Sequence, residues 1–141
     1  MTAEPLHVLV VDDDYHSAVV LFEHVQSMGL PIYCRMVDAL PASECEIEPQ
    51  IVVLDPELWN IEPRSLIRKV RQRFPFARVV AFTRAVGLAA DLLDSIMDAG
   101  ADAIVSKEHH LPPLLTVFAK VLVGGQWVDP LLSPRTLALA S

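Results

Sequence analysis

The feature that most constrains this chain is its alternation of short apolar runs with longer segments whose apolar residues recur at helical spacing. Residues 6 to 11 (LHVLVV), 51 to 54 (IVVL), 79 to 82 (VVAF) and 103 to 105 (AIV) are rich in β-branched residues. They lack the apolar–polar alternation of a half-exposed strand, so they predict strands buried on both faces. A further strand is predicted over residues 32 to 37. Between these runs, Ala18, Leu21, Phe22, Val25 and Met28 share one helical face. So do Ile67, Val70 and Phe74; Ala89, Leu92, Leu93, Ile96 and Met97; and Leu114, Val117, Phe118, Val121 and Leu122. Gly29, Pro75, Gly100 and the pair Gly124–Gly125 supply the stops, and Pro112 and Pro113 suit the opening of the last helix. Residues 38 to 50, with two prolines and four acids, carry only a weak helical pattern. The resulting order is βα repeated five times. It predicts an α/β fold in which a parallel sheet, joined by right-handed crossovers, carries helices on both faces.

With 141 residues and 52% apolar content, the chain has enough material for one compact domain. Its formal net charge of −7 argues against a broad grip on nucleic acid, because phosphate backbones are held by dense Lys and Arg. Seven of the eleven basic residues fall between Arg64 and Arg84, which reads as a solvated helix face with cations toward its C-terminus. No apolar run approaches the roughly 20 residues that span a bilayer, and residues 1 to 6 lack a basic secretory start, so a cytoplasmic location is expected. Cys34 and Cys45 have no CxxC spacing and are expected as free thiols. His109 and His110 are adjacent rather than one helical turn apart, which is no metal-ligand spacing.

Parallel doubly wound sheets bind ligands beyond the carboxyl ends of their strands, so the polar residues found there matter most. The first predicted strand runs into Asp12 and Asp13, the third into Asp55, the fourth into Thr83 and the fifth into Lys107. Asp14 is read as a helix N-cap. Several carboxylates brought to one edge repel one another and call for a hard cation; Mg²⁺, held by one or two carboxylates and a phosphate oxygen, is the natural candidate. Asp55 is then placed to act as a nucleophile toward phosphorus. Mg²⁺, the Lys107 ammonium and the Thr83 hydroxyl would stabilise the spreading charge.

The segments VLVVDDD (8 to 14), IVVLD (51 to 55), VVAFT (79 to 83) and AGADAIVSK (99 to 107) together resemble the receiver domains of bacterial two-component response regulators. The resemblance covers residues 6 to 125. It implies a flavodoxin-like, doubly wound, five-stranded parallel sheet of strand order 2-1-3-4-5 with five helices. It also implies phosphorylation of Asp55 by a partner histidine kinase or phosphotransfer protein. Asp12, Asp13, Asp55 and the backbone carbonyl of Glu57 would hold Mg²⁺, and Thr83 and Lys107 would contact the phosphoryl group. No independent substrate turnover is expected. The stretch from Ser106 onward is most similar to receivers joined to LuxR-type helix-turn-helix domains. Residues 1–125 are therefore expected to be the receiver domain and 126–141 a tail or the start of a linker to a DNA-binding output domain. Transcriptional control is the implied output, and homodimers through the first, fourth or fifth helix are a further expectation.

Several positions depart from the family pattern. Trp59 stands where a proline is usual, Pro63 where a glycine is usual, and Arg84 where a small residue leaves the phosphoryl pocket open. Ile104 replaces a common aromatic residue three positions before the lysine. These departures keep a rival open: a receiver-like interaction module that signals without phosphate. The intact acids favour the phosphoacceptor.

Overall fold

A computed structural model describes residues 6–12, 19–21, 23, 26–27, 32–37, 48–55, 62–83, 90–106 and 114–129. Six strands form one sheet: β1 (Leu6–Val11), β2 (Ile32–Val37), β3 (Ile51–Leu54), β4 (Arg78–Thr83), β5 (Ala103–Ser106) and β6 (Trp127–Val128). Their order is β2-β1-β3-β4-β5-β6, and every neighbouring pair is parallel. The first five strands stand in the expected 2-1-3-4-5 order.

β6 was not anticipated. Two residues give no readable periodicity, and Gly124 and Gly125 signal only the end of a helix. The Trp127 N–H donates to the Asp102 carbonyl at 3.1 Å and the Asp129 N–H to the Ile104 carbonyl at 2.9 Å. The sheet thus runs past Gly125, the expected boundary of the domain, to Asp129.

The apolar runs within the central strands follow from the two layers around them. Leu9, Val11, Val52, Leu54, Val79, Ala81 and Ile104 face one side, against Leu66, Ile67 and Val70 of helix Pro63–Arg73, Phe74 just after it, and Leu93 and Ile96 of helix Ala90–Asp98. Val8, Val10, Ile51, Val53, Val80, Phe82, Ala103 and Val105 face the other, against Leu21 and against Leu114, Val117, Phe118 and Val121 of helix Leu114–Leu122. Successive residues of each strand enter opposite layers, as the two-residue period of a strand requires. Residues 19–21, 23 and 26 are helical, in the region of the first expected helix. The expected helix over residues 38 to 50 lies outside the described residues except for Glu48, Pro49 and Gln50, which are not helical. Among the described residues, no helix is long and apolar enough to cross a membrane.

Two helices end in the same way. The Gly100 N–H donates to the Met97 carbonyl and the Ala101 N–H to the Ile96 carbonyl; Gly124 and Gly125 bond likewise to Val121 and Lys120. This paired closure needs a left-handed residue, and Gly100 (φ 123°) and Gly124 (φ 90°) supply it.

Phe74 and Phe76 separate burial from composition: Phe74 is 1% exposed in the core and Phe76 is 96% exposed in the turn before β4. Phe74→Ala is expected to lower the unfolding free energy in a urea titration by about 3–5 kcal/mol. Phe76→Ala is expected to change it by less than about 0.5 kcal/mol. Similar losses for the two variants would contradict the packing described.

Candidate functional site

Because all six strands are parallel, their carboxyl ends lie along one edge of the sheet. Asp12 and Asp55 directly follow β1 and β3, while Thr83 and Ser106 are the last residues of β4 and β5. Val11 is in register with Leu54, and the Asp55 N–H donates to the Val11 carbonyl at 3.2 Å, so the two acid-bearing ends are side by side. Thr83 is in register with Ser106. The ladder therefore brings together three of the residues singled out in the sequence, Asp12, Asp55 and Thr83. Asp13, Glu57 and Lys107 lie outside the described residues, as do Asp14, Trp59 and Arg84.

Burial grades this edge. Asp12 is 5% exposed and its Oδ2 is buried, Thr83 and Ser106 are each 1% exposed, and Asp55 is half-buried. The more accessible carboxylate thus sits beside the deeper one, which suits Asp55 for meeting an incoming group. Adjacent strands run about 5 Å apart, so carboxyl groups at neighbouring, partly buried ends are held close enough to interact. The donors are carboxylate and hydroxyl oxygens, the set a hard divalent cation such as Mg²⁺ prefers. Among the described residues, no group of three or more His, Cys, Asp or Glu is gathered.

Two of the family departures have a structural account. Pro63 opens helix Pro63–Arg73, where its missing N–H is not needed. Ile104 is fully buried between strands, paired with Ala81 and Val128, and acts as core. The basic run is also less purely solvated than its composition suggests. Arg71 bonds the Ala77 carbonyl and approaches Asp102 at 3.8 Å. Arg73 approaches Glu48 at 3.5 Å and lies 4.5 Å over the Phe74 ring. A separate cleft of about 380 Å³ is lined by Asp94, Met97, Asp98, Gln126, Trp127 and Val128, and holds none of the strand-end acids.

One polar residue at this edge escaped the sequence reading. Asp129 is 5% exposed, and its Oδ2 accepts a hydrogen bond from the Ser106 N–H at 3.1 Å. A signal was present: WVD at 127 to 129 repeats, in miniature, the apolar-run-then-Asp pattern of VVD at 10 to 12 and VLD at 53 to 55.

No protein-family model matches the chain. Solved structures do match it. An RcsB response regulator of Salmonella typhimurium, described by its conformational dynamism for DNA interaction, superposes with a TM-score of 0.73 at 16% identity, over 96% of this chain and 67% of that one. A LuxR family DNA-binding response regulator from Silicibacter pomeroyi gives a TM-score of 0.68 at 16% identity, over 88% of this chain and 97% of that one. A response regulator protein from Burkholderia pseudomallei, with a phosphorylated aspartic acid, calcium ion and citrate, gives 0.62 at 18% identity, over 96% of this chain and 71% of that one. The chain has the flavodoxin-like fold of these response regulators, in agreement with the resemblance its strand-end segments carry.

Acidic residues at two neighbouring strand ends predict a measurable repulsion between Asp12 and Asp55. In chelator, without divalent cations, Asp12→Asn is expected to raise unfolding free energy by on the order of 1 kcal/mol, read by urea denaturation. A loss of stability would show that donors to the Asp12 carboxylate outweigh the repulsion.

Proposed function

We propose that this chain is a phosphoacceptor switch of a two-component system, in which Asp55 takes a phosphoryl group from a partner histidine kinase or phosphotransfer protein. One observation carries the reading: a half-buried carboxylate at the end of β3 stands beside a buried carboxylate at the end of β1, with the Thr83 hydroxyl at the next strand end.

In the step proposed, an Asp55 carboxylate oxygen attacks phosphorus and a new O–P bond forms. The bond from phosphorus to the donor's nitrogen breaks, and that nitrogen keeps the electron pair and takes up a proton. The product is an acyl phosphate on Asp55. Asp12, Asp13, Asp55 and the Glu57 carbonyl would hold Mg²⁺. When bound, the ion supplies positive charge against the phosphoryl oxygens. The Thr83 hydroxyl donates to one of those oxygens and the Lys107 ammonium pairs with another. Thr83 is buried and in register with Ser106, so a pull on it is felt by the ends of β4 and β5 together. The added charge biases an equilibrium between two arrangements of that edge.

The output proposed is control of transcription through a DNA-binding domain or a separate target, with homodimers through the first, fourth or fifth helix. The last two correspond to Ala90–Asp98 and Leu114–Leu122. The Burkholderia structure, with its phosphorylated aspartic acid, and the DNA-directed RcsB and LuxR family structures support this reading.

With Mg²⁺ and a small phosphodonor such as phosphoramidate, the intact mass of the wild-type chain is expected to rise by one phosphoryl group and that of Asp55→Asn to stay unchanged. Chelation of the metal abolishes the gain, and Asp12→Asn slows it at least about tenfold. A wild-type mass that never changes would sink the proposal and favour a module that signals without phosphate.

A further inference from the structure

We infer that this chain pairs with a second copy of itself at the amino-terminal border of the sheet, each copy placing Phe76 in the cleft beside Trp127 of the other, independently of any phosphate on Asp55. Among the described residues, Phe76 is the largest apolar side chain left in water. Its ring is 96% exposed, ahead of the smaller Val123, Val20 and Leu122. It lies two residues before β4, while Asp98 is the last residue of helix Ala90–Asp98 and Trp127 the first of β6. Val80 and Trp127 are both in register with Ala103, so the ring and the cleft lie toward the same end of the sheet. β4 and β6 are two strand spacings apart, about 10 Å.

The cleft has the chemistry that Phe76 and its neighbours lack. About 380 Å³ in volume, it is lined by Trp127, Met97 and Val128 and by the polar Asp94, Asp98 and Gln126. An indole and a thioether are groups against which an aromatic ring packs favourably. Asp94 and Asp98 are exposed and four residues apart on one helix, a spacing at which like charges destabilise the helix unless a cation offsets them. None of the described residues lining the cleft is basic. Phe76 arrives with that charge: Arg78 follows it by two residues, Arg73 precedes it by three, and Arg68 and Lys69 are exposed on helix Pro63–Arg73. An almost fully exposed ring does not fill the cleft of its own chain, whereas a two-fold axis lets each copy fill the other's and closes the pair without open ends. Two such contacts make a small interface, so the pair is weak and exchanging.

Sedimentation velocity of the full chain at low salt, from micromolar concentrations to ~1 mM, is expected to show a monomer–dimer equilibrium that added salt weakens. Phe76→Ala, which leaves stability nearly unchanged, raises the dissociation constant at least about tenfold, and Asp98→Lys at the cleft does the same. An equimolar mixture of these two variants associates more tightly than either alone, because the mixed pair gathers both defects into one contact and leaves the other intact. Asp55→Asn pairs as the wild type does, with no phosphodonor present. A wild type that stays monomeric, a Phe76→Ala chain that pairs like the wild type, or a mixture no tighter than its components overturns the proposal and leaves Asp55 phosphorylation standing. Pairing lost in Asp55→Asn overturns it too, by moving the contact to the phosphoacceptor edge.

Discussion

Everything in this molecule depends on a parallel ladder that has no wet face. β1, β3, β4 and β5 are covered on both sides, and from Val8 to Val11, Ile51 to Leu54, Val79 to Phe82 and Ala103 to Val105 the side chains are all apolar and buried. An unpaired polar group inside such a slab costs several times what an apolar replacement would. The slab therefore expels polar chemistry to its borders, and the parallel register gathers what is expelled. Asp12, Asp55, Thr83 and Ser106 are neighbours because their strands stop together.

The two borders of the sheet are used differently. At the amino-terminal border, polar side chains close the structure. The Gln50 side chain accepts the His7 N–H at 3.1 Å, the Asp102 carboxylate accepts the Val79 N–H at 2.9 Å, and Arg71 bridges Ala77 and Asp102 while lying against Gly100. At the carboxyl border, acids are set beside one another, an arrangement that a stability argument alone would avoid. Asp129 is the exception, because it brings the closing device of the first border to the second.

How much of this was legible in the sequence follows from the same physics. Residues 8 to 11 and 51 to 54 announce buried strands because no polar residue interrupts them, and Ile67, Val70 and Phe74 announce a helix because a core-facing stripe must recur near 3.6 residues. The residues ending those strands could be named in advance, since a strand's end is where a polar residue first becomes affordable. β6 and Asp129 were not legible: two residues cannot express a period, and the glycines before them signal only that a helix has stopped. Arg71 and Arg73 read as surface charge for a related reason. Their partners, Ala77, Asp102 and Glu48, are brought to them by the sheet and not by helical spacing.

β6 also changes what the molecule shows to its neighbours. Without it, β5 would be the outer strand, and its apolar residues would present a row of open amide and carbonyl groups to any extended chain nearby, the template from which strand-by-strand aggregation grows. Two residues and one aspartate close most of that row. They leave a border on that side too short to recruit another strand, so β6 shields the long apolar edge of β5.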